Sequence, residues 1–203
     1  MQKKCGIMAE RKGEEIMASL FASTRNTRAL PGCGMRFLRS DAPLCLAEEE
    51  VQWLVKNNVR TLVDLRSKEE VDQNPCPLAE RDGFFYCHLP VTGGGATPKS
   101  RAHLHETYAG MIDAQMDRIL ATILCARTNV MYFCTAGKDR TGVVTALLLR
   151  KMGCDEKTIV DDYMLSGDNL MDMLTAYAQA QPEVDLDIIV PKRENIERIL
   201  RLL

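Results

Sequence analysis

Residues 130–149 read VMYFCTAGKDRTGVVTALLL. The apolar run at 130–133 predicts a buried strand, and the apolar run at 143–149 predicts a buried helix. Between the two runs, small residues and Gly137 indicate a tight loop. A strand that passes through a short loop into a helix is typical of an α/β fold, in which ligands bind beyond the carboxyl ends of the strands.

The loop between these elements carries the residues of an anion site with a nucleophile. Backbone N–H groups in a small-residue turn and the N-terminus of the following helix attract a phosphate group. Arg140 offers a planar fork of donors that matches two phosphate oxygens. Cys134 lies close to this positive end, which favours the thiolate form, and a thiolate beneath a bound phosphate can attack phosphorus.

The pattern Cys-x5-Arg-Thr resembles the signature of the cysteine-based tyrosine and dual-specificity phosphatases. Its fuller form, CTAGKDRTG at residues 134–142, resembles a bacterial and fungal subgroup that acts on phosphotyrosine and phosphoinositides. The resemblance continues over roughly residues 20 to 170. It includes four further segments in the expected order: NTRALPG at 26–32, FLRS at 37–40, TLVDLRS at 61–67 and DYMLS at 162–166.

The predicted site residues all lie in or next to this loop. We expect Cys134 to be the nucleophile, Arg140 to bind and stabilise the phosphoryl group, and Asp139 to transfer the proton. The predicted substrate-binding residues are Thr135, Ala136, Gly137, Lys138, Arg140 and Thr141. The resemblance further implies that the Thr141 hydroxyl donates to the Cys134 sulfur, although Thr141 could simply begin the helix.

Two departures from the resembling family concern the chemistry. The family usually has His directly before the catalytic cysteine, and here that position is Phe133. Dual-specificity phosphatases carry an Asp after the strand that ends in an apolar-Pro-apolar step. Here Thr92 follows Val91, and no carboxylate occurs before Glu106.

Asp139 is therefore the expected general acid. Held protonated beside a phosphate dianion, its carboxyl group can donate to the departing oxygen. The alternative interpretation is that Asp139 orders the loop by accepting N–H groups.

Other charged residues have open roles. Lys138 is either a second phosphate ligand, as in the phosphoinositide phosphatases that the loop resembles, or a solvated charge. Four basic residues form either a lid over an anionic substrate or a hydrophilic loop and helix start: Lys99, Arg101, His103 and His105. We interpret Arg66 as an ion-pair partner and Arg39 as structural. The resemblance implies that Asp162 and Tyr163 support the loop.

Helical and strand patterns alternate along the chain, which predicts a sheet flanked by helices. Strands are expected at 35–39, 59–66, 84–91 and 130–133, and a flexible loop at 92–95. Helices are expected at 46–55, 103–124, 155–166, 169–180 and 193–203. The prediction is a single α/β domain with a central, mostly parallel sheet flanked by helices. The resemblance implies that the domain has a fold like that of the dual-specificity phosphatases. We expect residues 1–20 to be a polar leader that is helical in part, and residues 21–203 to be the phosphatase domain.

Composition limits the remaining functions. The 203 residues carry a net charge of −2, which gives no indication of nucleic-acid binding. No apolar run approaches a membrane span, and no secretory signal is visible. The eight cysteines lack a CxxC motif, which favours reduced thiols in the cytoplasm, with export as an effector an alternative. We expect no cofactor and no metal.

The sequence thus predicts a phosphatase that hydrolyses phosphate monoesters, most of all protein phosphotyrosine, through a phosphocysteine intermediate. The expected partners are a phosphorylated protein or a phosphoinositide as substrate and phosphate ion as product. A phosphoinositide phosphatase and a catalytically weak phosphate-binding module are the alternatives. A rhodanese-like sulfurtransferase also has a cysteine at the start of such a loop, but its loop is typically shorter.

Overall fold

The computed structural model describes residues 10–11, 14–15 and 19–202. The strands are β1 (Glu10–Arg11), β2 (Glu14–Glu15), β3 (Arg28–Ala29), β4 (Phe37–Ser40), β5 (Val59–Asp64), β6 (Phe85–His88) and β7 (Asn129–Phe133). The α-helices are α1 (Glu48–Lys56), α2 (Lys68–Gln73), α3 (Arg101–Gly110), α4 (Ala114–Cys125), α5 (Asp139–Lys151), α6 (Glu156–Ala180), α7 (Leu186–Ile189) and α8 (Arg193–Leu200). A 3-10 helix spans Pro77–Glu80.

The main sheet has five strands in the order β3-β4-β7-β5-β6. The pairs β4–β7, β7–β5 and β5–β6 are parallel, and β3 pairs with β4 in the antiparallel direction. The central, mostly parallel sheet flanked by helices is therefore confirmed. Because β7 is the middle strand, the loop that follows it emerges at the centre of the sheet's carboxyl edge.

The central strand is buried on both faces, as its continuous apolar run predicts. Val130 and Tyr132 belong to one hydrophobic cluster, which includes α4, α5 and α8. Met131 and Phe133 belong to a second cluster on the other face, which includes α1. The alternation follows from the two-residue period of a strand, and it fixes the exit of the chain into the loop.

Three helix predictions were wrong at their ends or breaks. The helices expected at 155–166 and 169–180 form the single helix α6. Its Gly167 is buried inside the helix and does not interrupt it, although glycine usually weakens a helix. The helix expected at 103–124 is divided into α3 and α4, because Asp113 caps a new helix by accepting the N–H of Met116 at 2.9 Å.

The leader predicted at residues 1–20 lies mostly outside the described residues. The described residues before Ser19 are those of β1 and β2, which pair in the antiparallel direction. The partial helix predicted for the leader otherwise falls outside the described residues. The domain boundary at residues 20 and 21 stays a prediction. Among the described residues, no helix has the length and apolar character needed to cross a membrane.

Candidate active site

The loop from Cys134 to Lys138 connects β7 to α5. Gly137 has a φ of +67°, and a Cβ at this position would lie 2.5 Å from the backbone of Ser40 and Asp41. A side chain is therefore excluded by both conformation and space. This close approach of the loop to the end of β4 sets the position of the residues that precede α5.

The carbonyl groups of the loop are held by buried donors. Asn26 Nδ2 donates to Gly137 O at 2.9 Å and to Ala136 O at 3.3 Å, and Arg39 Nη2 donates to Gly137 O at 2.8 Å. The backbone N–H groups of residues 135–138 have no acceptor among the described residues. Carbonyl groups paired with protein donors and N–H groups left without partners are the arrangement that an anion-binding loop requires.

A buried charge cluster supports these donors. Arg28 Nε lies 3.0 Å from Asp162 Oδ1, and Arg39 Nη1 pairs with the other carboxylate oxygen. Ser166 Oγ accepts from Arg28 at 3.0 Å and from Arg39 at 3.2 Å. Burial and the neighbouring charge of Arg39 lower the pKa of Arg28 to about 10. Burial alone would raise the pKa of Asp162, but the two arginines lower it below its ordinary value. We call Arg28, Arg39 and Asp162 the buried triad.

Arg140 is held by a carboxylate from another element. Its Nη1 and Nη2 atoms donate to the two oxygens of Glu70 at 2.5 and 2.7 Å, and Nη2 also reaches Thr135 Oγ1 at 3.3 Å. Partial burial would raise the pKa of Glu70, but hydrogen bonds from Arg140 and Thr135 lower it to about 2. Arg140 Nε is buried and has no partner among the described residues.

Asp139 lies between an ammonium group and a phenol. Lys138 Nζ is 2.7 Å from Asp139 Oδ1, and Tyr108 Oη donates to the same oxygen at 2.5 Å. Burial lowers the pKa of Lys138, but the charge and hydrogen bond of Asp139, together with the neighbouring Tyr163 and Cys134, raise it above its ordinary value. Lys138 is 5% exposed, so it is not the solvated charge considered from the sequence.

Cys134 lies at the floor of a pocket of about 350 Å³. Its exposed fraction is 3%, and the loop residues that line the pocket with it are Thr135, Ala136, Lys138, Asp139 and Arg140. Gly137 and Thr141, which were also expected to bind substrate, do not line it. The Thr141 hydroxyl is buried without a partner among the described residues, so the bond to the Cys134 sulfur is not formed in this structure.

The opposite wall of the pocket is largely apolar. Met173, Leu174 and Tyr177 come from α6, and Ile189 comes from α7. The segment 94–98 closes another side, and Tyr177 Oη lies 2.9 Å from Thr97 Oγ1. The pocket thus joins a floor of charged side chains and unpaired loop N–H groups to an apolar rim.

A sequence model described as the tyrosine phosphatase family matches residues 24–201 of the chain. The chain belongs to this family. Among curated proteins, it is similar to a tyrosine-protein phosphatase from Nostoc commune, with 29% identity over 131 residues, covering 60% of this chain and 45% of that protein. It is also similar to the triple specificity protein phosphatase PtpB from Mycobacterium tuberculosis, with 47% identity over 51 residues, covering 25% of this chain and 18% of that protein. The chain spans less than half the length of both relatives.

Two solved structures match over most of the chain. Tk-PTP in its active form has 18% identity and a TM-score of 0.44, and the match covers 87% of this chain and 95% of that chain. TpbA from P. aeruginosa in complex with pTyr has 15% identity and a TM-score of 0.39, with coverage of 82% and 93%.

The basic lid considered for this family member is not observed. Lys99, Arg101, His103 and His105 do not line the pocket of Cys134. Arg101 pairs with Asp187 and, at 2.9 Å, with Glu194. The interpretation as a hydrophilic loop and helix start is therefore the correct one.

Arg66 and Phe133 both lie outside the pocket lining. Arg66 forms two short bonds with Asp64, of 2.9 Å from Nε and 2.6 Å from Nη2, which confirms it as an ion-pair partner. Its guanidinium carbon lies 5.6 Å from the centre of the Phe133 ring. Phe133, in place of the family's histidine, is fully buried in the core cluster and faces away from the pocket lining.

Sequence analysis missed Glu70, Tyr108 and the role of Asn26. A signal for Glu70 was present, since Ser67 and Glu70 form a capping box in which each side chain binds the other residue's backbone N–H. That signal predicts the start of α2 but not the distant partner Arg140. The structure brings Cys134, Asp139 and Arg140 to one pocket, and their chemical roles stay predictions.

Proposed function

We propose that this chain hydrolyses phosphate monoesters, with protein phosphotyrosine as the preferred substrate, through a phosphocysteine intermediate. The observation that carries the proposal is the floor of the pocket. There, Cys134 lies among loop N–H groups and an Arg140 Nε that have no partners among the described residues. The family membership and the names of the two curated relatives support the same reaction class.

In the first step, Cys134 Sγ attacks phosphorus as the bond from phosphorus to the ester oxygen breaks. The free loop N–H groups and Arg140 Nε donate to the non-bridging oxygens, whose charge must be stabilised in the transition state. A proton from Asp139 goes to the departing oxygen, which leaves as an alcohol or phenol. In the second step, water attacks the phosphocysteine, Asp139 accepts its proton, and phosphate and the thiolate are released.

The shape of the pocket supports an aryl phosphate. Met173, Tyr177 and Ile189 offer an apolar surface above the loop, which suits an aromatic ring. The two cations of the lining, Lys138 and Arg140, are each paired with a carboxylate. A polyphosphorylated inositol needs further free cations around its ring, and Lys99 and Arg101 do not line this pocket.

Phosphate release by wild type, Cys134→Ser and Cys76→Ser tests the proposal. Cys76 is a matched control, because both thiols are 3% exposed and Cys76 lies in the core away from the pocket. The substrates are a phosphotyrosine peptide, a phosphoserine peptide and a short-chain phosphoinositide. We expect release from phosphotyrosine that only Cys134→Ser abolishes. No release above the Cys134→Ser level on any substrate would instead support a phosphate-binding module, and preferred release from the lipid would support the phosphoinositide branch.

The acid role of Asp139 has its own test. Asp139→Asn is expected to slow hydrolysis of alkyl and unactivated aryl phosphates by about 100-fold, the lower end of general acid catalysis, and that of 4-nitrophenyl phosphate much less. The reason is that a good leaving group departs without a proton. Equal losses for the two kinds of leaving group would assign Asp139 to ordering the loop.

We also propose a reducing, cytoplasmic location. It is supported by the seven cysteines of the described residues, all of which are free thiols. Alkylation of the native protein isolated from its own cells would report the thiols, and recovery of disulfide-bonded protein from the medium would favour the alternative of export.

A further inference from the structure

Tyr108 lies outside the phosphate loop and has no role in the reaction derived above. It belongs to α3, is fully buried, and donates to Asp139 Oδ1 at 2.5 Å. Lys138 Nζ donates to the same oxygen at 2.7 Å. The second oxygen, Oδ2, has no hydrogen-bond partner among the described residues, and the Asp139 side chain is 28% exposed at the pocket. One oxygen is therefore fixed and the other is free.

The phenol of Tyr108 is itself part of a chain of donors. Tyr163 Oη lies 2.9 Å from Tyr108 Oη, and Asn195 Nδ2 lies 3.5 Å from Tyr163 Oη. His105 Nε2 lies 3.0 Å from Asn195 Oδ1 and must donate to it, because an amide oxygen only accepts. The amide therefore donates to Tyr163, Tyr163 to Tyr108, and Tyr108 to Asp139.

This direction is fixed by the chemistry of the two ends. A carboxylate oxygen accepts and an amide N–H only donates. Each hydroxyl between them therefore accepts a hydrogen bond from the side of Asn195 and donates one toward Asp139. Burial and the adjacent Asp139 charge raise the pKa of Tyr108 well above its ordinary value, so the phenol keeps its proton. Hydrogen bonds in such a buried chain polarise and strengthen one another.

We propose that Tyr108, backed by Tyr163, is a positioning residue for Asp139 in the hydrolysis reaction. It holds Oδ1, so that Oδ2 carries the transferred proton toward the pocket. As the proton moves from Oδ2 to the departing ester oxygen, the carboxylate gains a negative charge, and the donors on Oδ1 stabilise it. In the second step the same geometry presents Oδ2 to the attacking water. The inference rests on the proposed phosphatase function and on the acid role of Asp139.

The test compares Tyr108→Phe with Tyr132→Phe. Tyr132 is an equally buried tyrosine whose hydroxyl bonds Thr145 at 2.7 Å and which does not line the pocket, so its replacement removes a similar bond elsewhere. Hydrolysis is measured on aryl phosphates from 4-nitrophenyl to 4-methoxyphenyl phosphate. For Tyr108→Phe we expect kcat to fall about tenfold on the poorest leaving group and about twofold or less on the best. The expected loss is smaller than the whole contribution of a general acid, because Asp139 itself remains. Tyr132→Phe is expected to show no dependence on the leaving group.

A double variant identifies the route of the effect. If Tyr108 acts through Asp139, then adding Tyr108→Phe should lower kcat in the wild-type background but not in the Asp139→Asn background, where the proton transfer is already lost. Equal losses of kcat on all leaving groups, or an additive loss in the double variant, would overturn the positioning role while Cys134-dependent release still upheld the phosphatase. Absence of Cys134-dependent release from wild type would overturn the proposed function and the role of Tyr108 with it.

A spectroscopic measurement does not depend on the folding of Tyr108→Phe. A buried phenol proton bonded to a carboxylate gives a slowly exchanging, downfield proton resonance. We expect this resonance in wild type and an upfield shift of it in Asp139→Asn. Its presence at the same position in both proteins would contradict the bond on which the inference depends.

Discussion

Two groups of paired charges meet at the loop from Cys134 to Lys138, and they differ in their position relative to the pocket. The buried triad of Arg28, Arg39 and Asp162 lies away from the pocket lining, and its Arg39 holds the Gly137 carbonyl of the loop. The pairs Glu70–Arg140 and Lys138–Asp139 line the pocket instead, where their carboxylates are 25% and 28% exposed. The first group is built to keep the loop in shape, and the second keeps charged groups ready at a surface that a ligand can reach.

The difference is clearest at the two arginines that contact the loop. The terminal nitrogens of Arg39 donate to Asp162, Ser166 and the Gly137 carbonyl. Its Nε has no partner among the described residues, but the side chain is fully buried and does not line the pocket. Arg140 is held by Glu70 through its two terminal nitrogens, and its unpaired Nε belongs to a side chain that lines the pocket. Glu70 therefore orients the arginine at the pocket through its terminal nitrogens and leaves Nε unpaired.

The largest expected effect concerns the stability conferred by the buried triad. Asp162→Asn should lower the free energy of unfolding by about 3–5 kcal/mol, because it leaves two buried guanidinium groups without a balancing charge. Urea unfolding measures the change. Asp161→Asn is the matched control on the same helix, since Asp161 pairs with Lys157 and Arg193 at the surface. Similar unfolding midpoints for the two variants would remove the distinction between the buried and the exposed pairs.

Next in size is the effect of Arg140→Lys on turnover. We expect kcat/KM to fall by about 10²–10³-fold, the cost of losing one preorganised donor to the transition state, because an ammonium group lacks the fork that serves Glu70 and the anion together. The unfolding midpoint should change little. Arg81→Lys, in an exposed pair with Glu48, is the control and should retain full activity. A loss of stability as large as that of Asp162→Asn would place Arg140 with the structural charges.

The smallest effect is the pH dependence that Glu70 contributes. The folded chain lowers the pKa of Glu70 from 4.5 to about 2, so ionised Glu70 stabilises the fold above pH 4.5, and this contribution disappears as the pH falls toward 2. With allowance for its partial exposure, the contribution is about 1–2 kcal/mol. Unfolding of wild type and Glu70→Gln between pH 7 and pH 2 measures it. The two curves should differ at pH 7 and converge at low pH, and a constant difference would contradict the ionic origin.

Local signals were sufficient for the framework of the fold. The apolar run at 130–133 predicted the buried strand β7, and the small residues and Gly137 after it predicted the loop before α5. These features depend on the alternation of side chains along a strand and on the dihedral freedom of Gly137, and both act between near neighbours in the chain. The placement of Cys134, Asp139 and Arg140 on one pocket follows from this single segment.

The sequence by itself determined the strand, loop and helix that present the thiol and the guanidinium group. The two groups are six residues apart in the chain, so the local geometry of the loop and the first helical turn sets their relative position. Only the tertiary structure decided which groups those side chains meet. Glu70 reaches Arg140 across 70 positions, Tyr108 reaches Asp139 across 31, and Asn26 reaches Gly137 across 111. Such contacts depend on how the helices pack on the sheet, and no pattern of nearby residues encodes them. The basic lid failed for the same reason, since the carboxylates of α7 and α8 that pair with Arg101 come from a distant part of the chain.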